Sequence, residues 1–263
     1  MDSETWRLLP YHNGSSAYHF ALSDALARHV RTPTIWWHAT ESPTLILGAG
    51  QASGDIDLEA CADAGVRIVK RQAGGASVYA ARDVLGLDIA LPSDHPLVAG
   101  DILEAYRWLG EVWVDATKSL GANSRLVSIA EARASQQSTQ YAEALRLACF
   151  GSLSPYEVAV AQKKLVGLAQ VRRRSGILLQ SGIHLWFSAR EFCALLRTSE
   201  PGKVAQLLEE VAIGLAEATG RSLNEGDVMD AFHRSIRRLL GVRLAEGEWT
   251  EQELQRAHTV ECI

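Results

Sequence analysis

The sequence predicts an α+β protein in one continuous domain, residues 1–263. Segments with strand alternation and segments with helical spacing intermix along the chain instead of sorting into halves. No internal repeat or low-complexity linker divides it. A chain of 263 residues, 47% hydrophobic and 22% charged, has the composition of a globular protein and is long enough to bury a core without staples.

From Ser15 to Val30, Phe20, Leu22, Ala25, Leu26 and Val30 share a broad apolar face, which predicts a helix. Ile35–His38 and Thr44–Leu47 read as strands separated by turn residues around Pro43, and Gly48-Ala49-Gly50-Gln51 closes that hairpin or loop. Asp57 to Ala64 is a short helix stopped by Gly65. Val66 to Arg71 alternates as a half-buried strand does, and Val78-Tyr79 and Leu85–Leu91 are further strands. Residues 101–121 carry Ile102, Leu103, Tyr106, Leu109, Val112, Trp113 and Ala116 at three- and four-residue steps, a helix that ends at Gly121. Residues 130–147, rich in Ala, Gln, Ser and Glu, fit either a surface helix or a mobile insertion. Tyr156–Val160 and Leu165–Val171 flank a tight polar turn and form a hairpin, and Ile177–Phe187 is another strand. From Glu191 onward the chain is mainly helical, with Val204, Leu207, Leu208, Val211 and Leu215 at helical spacing.

The net charge of −5 and the scattered tryptophans give no sign of a nucleic-acid partner. Cys61, Cys149, Cys193 and Cys262 form no Cys-x-x-Cys pair and have no histidine at zinc-finger spacing, so no metal site is expected. A disulfide framework is not expected either, which suits a reducing cytoplasm. Residues 1–30 hold Asp2, Glu4, Arg7, His12 and His19 without an apolar run, unlike a signal peptide. No apolar stretch reaches the ~20 residues that cross a bilayer, so no membrane partner is expected.

The chemistry-bearing stretch runs from Cys149 to Lys164, 15 residues apart. Taken alone, a free cysteine is commonly a buried space-filler and a lone lysine a solvated turn residue. Together they suggest more, because a thiol carries acyl groups as a thiolate and a nearby ammonium favours that form. Gly74-Gly75 follows a strand ending in Lys70-Arg71; such glycines are often only a turn, but they also let backbone approach a ligand. Arg71 can bind a phosphate or carboxylate. The segment is neither a P-loop nor a dinucleotide fingerprint, since both glycine patterns are incomplete. Arg172-Arg173-Arg174 reads equally as a solvated charge run or as a dock for an acidic partner. His184, within an apolar strand, reads as a packed core residue rather than a base.

Three segments together resemble the lipoate-protein ligase/octanoyltransferase superfamily, which shares its catalytic fold with biotin-protein ligases. Val69-Lys70-Arg71-Gln72-Ala73-Gly74-Gly75-Ala76-Ser77-Val78-Tyr79 resembles the family's Arg-Arg-x-Ser/Thr-Gly-Gly motif that lines the acyl pocket. Lys163-Lys164-Leu165-Val166-Gly167-Leu168-Ala169-Gln170 resembles its Arg-Lys-hydrophobic-x-Gly-Ser-Ala-Gln turn, whose lysine is catalytic and falls on Lys164. Gly176-Ile177-Leu178-Leu179-Gln180-Ser181-Gly182 is close to its Leu-Leu-Gln-His-Gly strand. Ala148-Cys149-Phe150, with Tyr156-Glu157 behind it, is similar to the ligase-like octanoyltransferases that use this cysteine as an acyl carrier. The departures are Ala73 for Ser/Thr, Ala80-Ala81 for His-Asp, Ser181 for His, and His19-Phe20-Ala21-Leu22-Ser23-Asp24 for Asn-Met-Ala-x-Asp-Glu.

The resemblance implies mixed, largely antiparallel sheets flanked by helices, with residues 191–263 as a mainly helical part of the same catalytic domain. It implies an octanoyl or lipoyl group passing from a carrier-protein thioester, through a Cys149 thioester intermediate, to a lysine of a lipoyl domain or glycine-cleavage H protein. Arg71, Gly74, Gly75, Ala76, Val78, Gly167, Leu168 and Ala169 are the substrate-binding candidates, with oxyanion donors near Gly74-Gly75 or Gly167-Leu168. Val78, Leu87 and Ile89 could line an apolar slot, although plain core is the preferred reading. The transferase needs no cofactor. The alternatives are an ATP- and Mg-dependent lipoate-protein ligase using Lys164, or a non-catalytic lipoyl- or acyl-binding homologue.

Overall fold

The computed structural model describes residues 3–81, 83–137 and 145–261. The chain opens with β1 (Thr5–Leu8), β2 (His12–Gly14), α1 (Ser16–His29), β3 (Thr34–Thr40), β4 (Thr44–Leu47) and α2 (Leu58–Asp63). It continues through β5 (Arg67–Lys70), β6 (Val78–Ala80), β7 (Val84–Pro92), α3 (Glu104–Ser119), β8 (Ser124–Leu126) and α4 (Ile129–Gln137). A 3-10 turn at Cys149–Gly151 leads to β9 (Val158–Val160), β10 (Lys163–Arg172) and β11 (Gly176–His184). The last elements are α5 (Ala189–Cys193), α6 (Pro201–Val211), α7 (Leu215–Thr219), α8 (Glu225–Leu240), β12 (Arg243–Glu246) and α9 (Glu251–Glu261).

The large sheet runs β12-β1-β3-β7-β11-β10-β9-β8, with β2 beside β3; β5-β4-β6 form a small second sheet. From β3 to β8 all pairings are antiparallel, whereas β12, β1 and β2 join in parallel. The class is therefore α+β, with mixed sheets flanked by helices.

Several expectations need correcting. β3 and β4 form no hairpin: β3 buries Trp36 and Trp37 and lies inside the large sheet, while β4 pairs with β5 and β6. β5 is an exposed edge strand, so its alternation reflects no buried face. Helix α3 starts at Glu104, after Asp101 Oδ1 accepts the N–H groups of Leu103 (2.7 Å) and Glu104 (3.3 Å), and Ile102 and Leu103 are exposed. In the 130–147 stretch, α4 covers the first half, and residues 138–144 lie outside the described residues.

Register sorts the central strands into two faces, because residues directly opposite one another project the same way. Leu85, Leu87 and Ile89 of β7 join Trp37 and Leu179 in the main core beneath α3 and α8, where Trp113 and Phe232 pack. Leu87 and Ile89 are thus core, on the face away from the cleft described below. The other face is covered by α1, α9 and the small sheet.

Helix α1 is fastened electrostatically. Asp24, almost fully buried, accepts from Arg28 Nε (2.7 Å), Arg173 Nη2 (3.2 Å) and Arg256 Nη2 (3.4 Å). Arg173, read from the sequence as a solvated or docking charge, is therefore spent on an internal pair, while Arg174 is exposed. Burial pushes the Asp24 carboxyl up, and the three guanidinium groups outweigh it, so the net shift is downward. A depressed carboxyl stabilises the fold above its unfolded pKa of about 4 and loses that contribution as pH falls through the folded value. Asp24→Asn is expected to lower stability at pH 7 by about 1–3 kcal/mol, discounted for half-exposed arginines. Thermal melts from pH 7 to pH 3 check this: the gap between wild type and variant should close on acidification, and parallel curves would refute it.

Candidate active site

Cys149 opens its 3-10 turn on a backbone anchor. Its N–H donates to the Ser77 carbonyl at 2.8 Å, beside a parallel bridge between Ser77 and Ala148. Gln51 Nε2 ties the junction by donating to Ser77 Oγ (3.2 Å) and the Leu147 carbonyl (3.3 Å). The thiol itself is half-buried, and a Cβ on Gly167 would lie 3.8 Å from Sγ.

Lys164 sits where β9 and β10 shift register. Its side chain is 2% exposed, and Nζ donates to the Cys149 carbonyl (2.7 Å) and to both Glu157 oxygens (2.9 and 2.8 Å). The lysine therefore meets the backbone of Cys149, where the sequence suggested a contact with its sulfur. Glu157 also accepts the N–H groups of Ser154 (2.7 Å) and Leu168 (3.2 Å), so the Leu168 N–H is engaged and is not free for an oxyanion. Burial pushes the Glu157 carboxyl up, against the pull of Lys164 and the two amides. Tyr156, at φ 66°, turns the chain ahead of Glu157. Gly110 makes room for that turn, since a Cβ there would come within 2.2 Å of the Tyr156 carbonyl oxygen.

The loop after β5 closes over this region. Arg71 Nη2 donates to the carbonyls of Gly74 and Ala76, both at 2.9 Å. Gly75 has φ 92°, a conformation only glycine adopts readily, and its carbonyl oxygen would meet a Cβ on Gly48 at 1.7 Å. Arg71 Nε is buried without a hydrogen-bond partner among the described residues.

A cleft of about 120 Å³ runs from Cys149 across the sheet face. Of the sequence candidates, Arg71, Val78, Gly167, Leu168 and Ala169 line it with Cys149, whereas Gly74, Gly75 and Ala76 shape the Arg71 loop at its side. A wider recess of about 350 Å³, lined by Glu131, Ser135, Arg146 and Leu153, has no thiol or lysine on its wall. Ser181, standing where the family strand has histidine, accepts from Trp113 Nε1 at 2.9 Å and so belongs to the α3 side. His184 is buried, pairs with Asp83 at 2.9 Å and packs edge-on against Phe150, the neighbour of Cys149.

Sequence reasoning did not single out Glu157, Gln51, His38, Asp88 or Gln180 for the site. A carboxylate within the apolar run before β9 was a usable signal for Glu157, because an unpaired buried charge is too costly to persist. Gly86 and Gly182 inside strands marked a close approach. His38 and Asp88 carried no local signal, since only the register of β3 against β7 brings them together.

The family model of the lipoyl protein ligase A/B catalytic domain matches residues 15–237. The octanoyltransferase LipM of Kyrpidia tusciae is 32% identical over 263 residues, covering 97% of this chain and 94% of its own. LipM of Moorella thermoacetica is 31% identical over 265 residues, with coverages of 97% and 94%. Among solved structures, the bipartite lipoate protein ligase of Thermoplasma acidophilum, studied with its E2 lipoyl domain, matches with TM-score 0.79 at 19% identity, over 98% of this chain and 92% of that one. Lipoate-protein ligase A bound with ATP matches with TM-score 0.76 at 19% identity, over 99% and 94%. At such identity the structural likeness is one of fold.

Proposed function

The chain belongs to the lipoyl protein ligase A/B catalytic-domain family, and within that family we propose that it is an octanoyltransferase of lipoate assembly acting through Cys149. The observation that carries this reading is the placement of the thiol at the Gly167 end of a narrow cleft, with the Lys164–Glu157 pair buried behind it. The LipM relatives, alike over nearly the whole chain, point to the same acyl group.

In the first step the Cys149 thiolate attacks the carbonyl carbon of an octanoyl thioester on an acyl-carrier protein. A new S–C bond forms, the carrier's C–S bond breaks, and the carrier leaves as its thiolate. In the second step the neutral ε-amine of a lysine on a lipoyl domain or H-type protein attacks the acyl-enzyme. The amide forms, Cys149 leaves as thiolate, and the amine's surplus proton goes to solvent or to that thiolate. Splitting the transfer this way replaces one difficult displacement by two easier ones. Arg71, whose guanidinium stands at the cleft wall, is suited to an acidic group of the carrier arm. Lys164 acts as a positioning residue, because its ammonium holds the Cys149 carbonyl, and Glu157 balances much of its charge at the thiol. The reaction needs no ATP or metal on this reading, and we place it in the cytoplasm, where the cysteines stay reduced.

Octanoyl-carrier protein and an apo lipoyl domain, mixed with enzyme and no ATP, are expected to give the octanoylated domain, followed by its mass. Product that appears only with ATP, Mg and free octanoate or lipoate, and that survives Cys149→Ala, would identify a ligase instead.

A further inference from the structure

We propose that the His38 ring is the end stop of the acyl cleft, so that this protein takes chains of eight carbons and turns away longer ones. The proposal rests on the transferase reading and names the residue that sets its chain length. His38 of β3, Gly86 of β7, Gly182 of β11 and Gly167 of β10 stand directly opposite one another in four adjacent strands. They therefore project to the same face, and the three glycines leave a floor with no Cβ in it. Ile46 and Val78, partners in the small sheet, line the cleft from the other side. Between these apolar walls the slot is open above Gly182, where an added Cβ would meet nothing within 4 Å. Cys149 lies over the Gly167 end, its Sγ 3.8 Å from the place of a Cβ on that glycine.

Two strand spacings, about 10 Å, separate Gly167 from Gly86. An extended eight-carbon acyl group runs roughly 9 Å from carbonyl carbon to tail, since each C–C bond of ~1.5 Å advances a zigzag chain by ~1.25 Å. Held on Cys149 along the glycines, its tail arrives at the His38 ring. A Cβ on Gly86 would come within 2.4 Å of His38 Cε1 and 2.8 Å of Nδ1, so the ring sits directly on that glycine and closes the slot. The ring is also braced. Those of Trp36 and His19 flank it, each 4.8 Å away between centroids, and both residues are buried. His19 is tied in turn to His12 at 2.9 Å. Asp88, one row along on the same face, stands 3.6 Å from His38 Nε2 and is fixed by Ser23 Oγ and by Gln180 Nε2 (2.9 Å). A stop made of packed rings is stiff, because an interior at this density yields little to an added methylene. Two further carbons would need roughly 2.5 Å that the ring already fills.

The test loads the protein from an equimolar mixture of hexanoyl-, octanoyl-, decanoyl- and dodecanoyl-carrier protein thioesters and reads the adducts by intact mass. Wild type is expected to take octanoyl at least ~10²-fold faster than dodecanoyl. His38→Ala opens the slot by about one more strand spacing, roughly 5 Å. It should raise the dodecanoyl-to-octanoyl ratio at least ~10-fold. Gly182→Val puts a side chain on the open floor between thiol and stop, and should move the preference the other way, toward hexanoyl. Should His38→Ala not fold, His38→Asn, smaller than the imidazole and still polar, is read for a lesser rise in the same direction. Equal loading of octanoyl and dodecanoyl by wild type overturns the proposal while the transferase reading stands. So does an unchanged ratio in the folded His38 variant, or an unchanged preference in Gly182→Val. Loading of no chain overturns the transferase reading and this inference with it.

Discussion

Replacing Cys149 by alanine is expected to reduce transfer from octanoyl-carrier protein to a lipoyl domain by ~10⁴-fold or more, the scale seen when an enzyme loses its nucleophile. Two features of the structure make the expectation specific. The backbone that presents the thiol is held by groups other than Sγ: the Cys149 N–H on Ser77, the Cys149 carbonyl on Lys164, and Gln51 across the Ser77–Leu147 junction. Alanine therefore keeps the turn, and the melting temperature should change little. The loss should fall on kcat with binding of the carrier protein retained, because the cleft walls are untouched. Serine at this position gives a slower nucleophile on the same scaffold, and any adduct it forms is an ester instead of a thioester. An alanine variant with more than a tenth of wild-type activity would transfer the chemistry to another group.

The second large effect concerns Lys164 and Glu157, both almost fully buried, 2.8 Å apart. Removing one partner strands a buried charge, which typically costs about 3–5 kcal/mol, so Lys164→Met and Glu157→Gln should each lower the melting temperature by roughly 10 °C. The double variant removes both charges and should regain most of that stability. Activity should not follow. Without the Lys164 ammonium the Cys149 carbonyl loses its 2.7 Å donor, and acylation should remain at least ~10²-fold slow even in the stable double variant. Thermal melts and single-turnover acylation on the three variants separate folding from positioning. A full recovery of rate in the double variant would reduce Lys164 to a structural role.

The parts of this protein that were legible in its sequence are those set by local pattern. Helix α1, helix α2 with its Asp57 cap, the β9–β10 hairpin and the long strands β7 and β11 follow from periodicity and turn residues. The elements that were not foreseen are short and lie mostly at the sheet edge. β12 is four residues, largely exposed, and is a strand because it pairs in parallel with β1 some 240 positions earlier. β2 and β8 have three residues each and are held by β3 and β9. Of the hairpin or loop expected from Ile35 to Leu47, the hairpin does not form for a tertiary reason, since two tryptophans on opposite faces of β3 require burial on both sides and only the centre of the large sheet provides it.

The site divides in the same way. Lys164, Arg71 and the Gly74-Gly75 loop were visible through family likeness, and Cys149 through its chemistry as well. Glu157 was visible as part of the Tyr156-Glu157 likeness and as a carboxylate out of place. The polar end of the cleft was not visible at all, because His38, Asp88 and Gln180 come from three strands distant in sequence and meet only through register. The family departures become intelligible at this level too. Ala73 and Ala80 are packed in the interior, and Ser181 has its hydrogen bond from Trp113 on the opposite face from Cys149.

On the mechanism proposed, Cys149 carries the acyl group between two proteins. The most direct measurement is the intact mass of the enzyme, quenched in acid shortly after mixing with an acyl-carrier protein thioester and without acceptor. A single acyl adduct is expected that maps to the peptide containing Cys149, is discharged by hydroxylamine at neutral pH, and disappears when apo lipoyl domain is added. Formation of amide product with no adduct at any time, or an adduct that persists in Cys149→Ala, would contradict it.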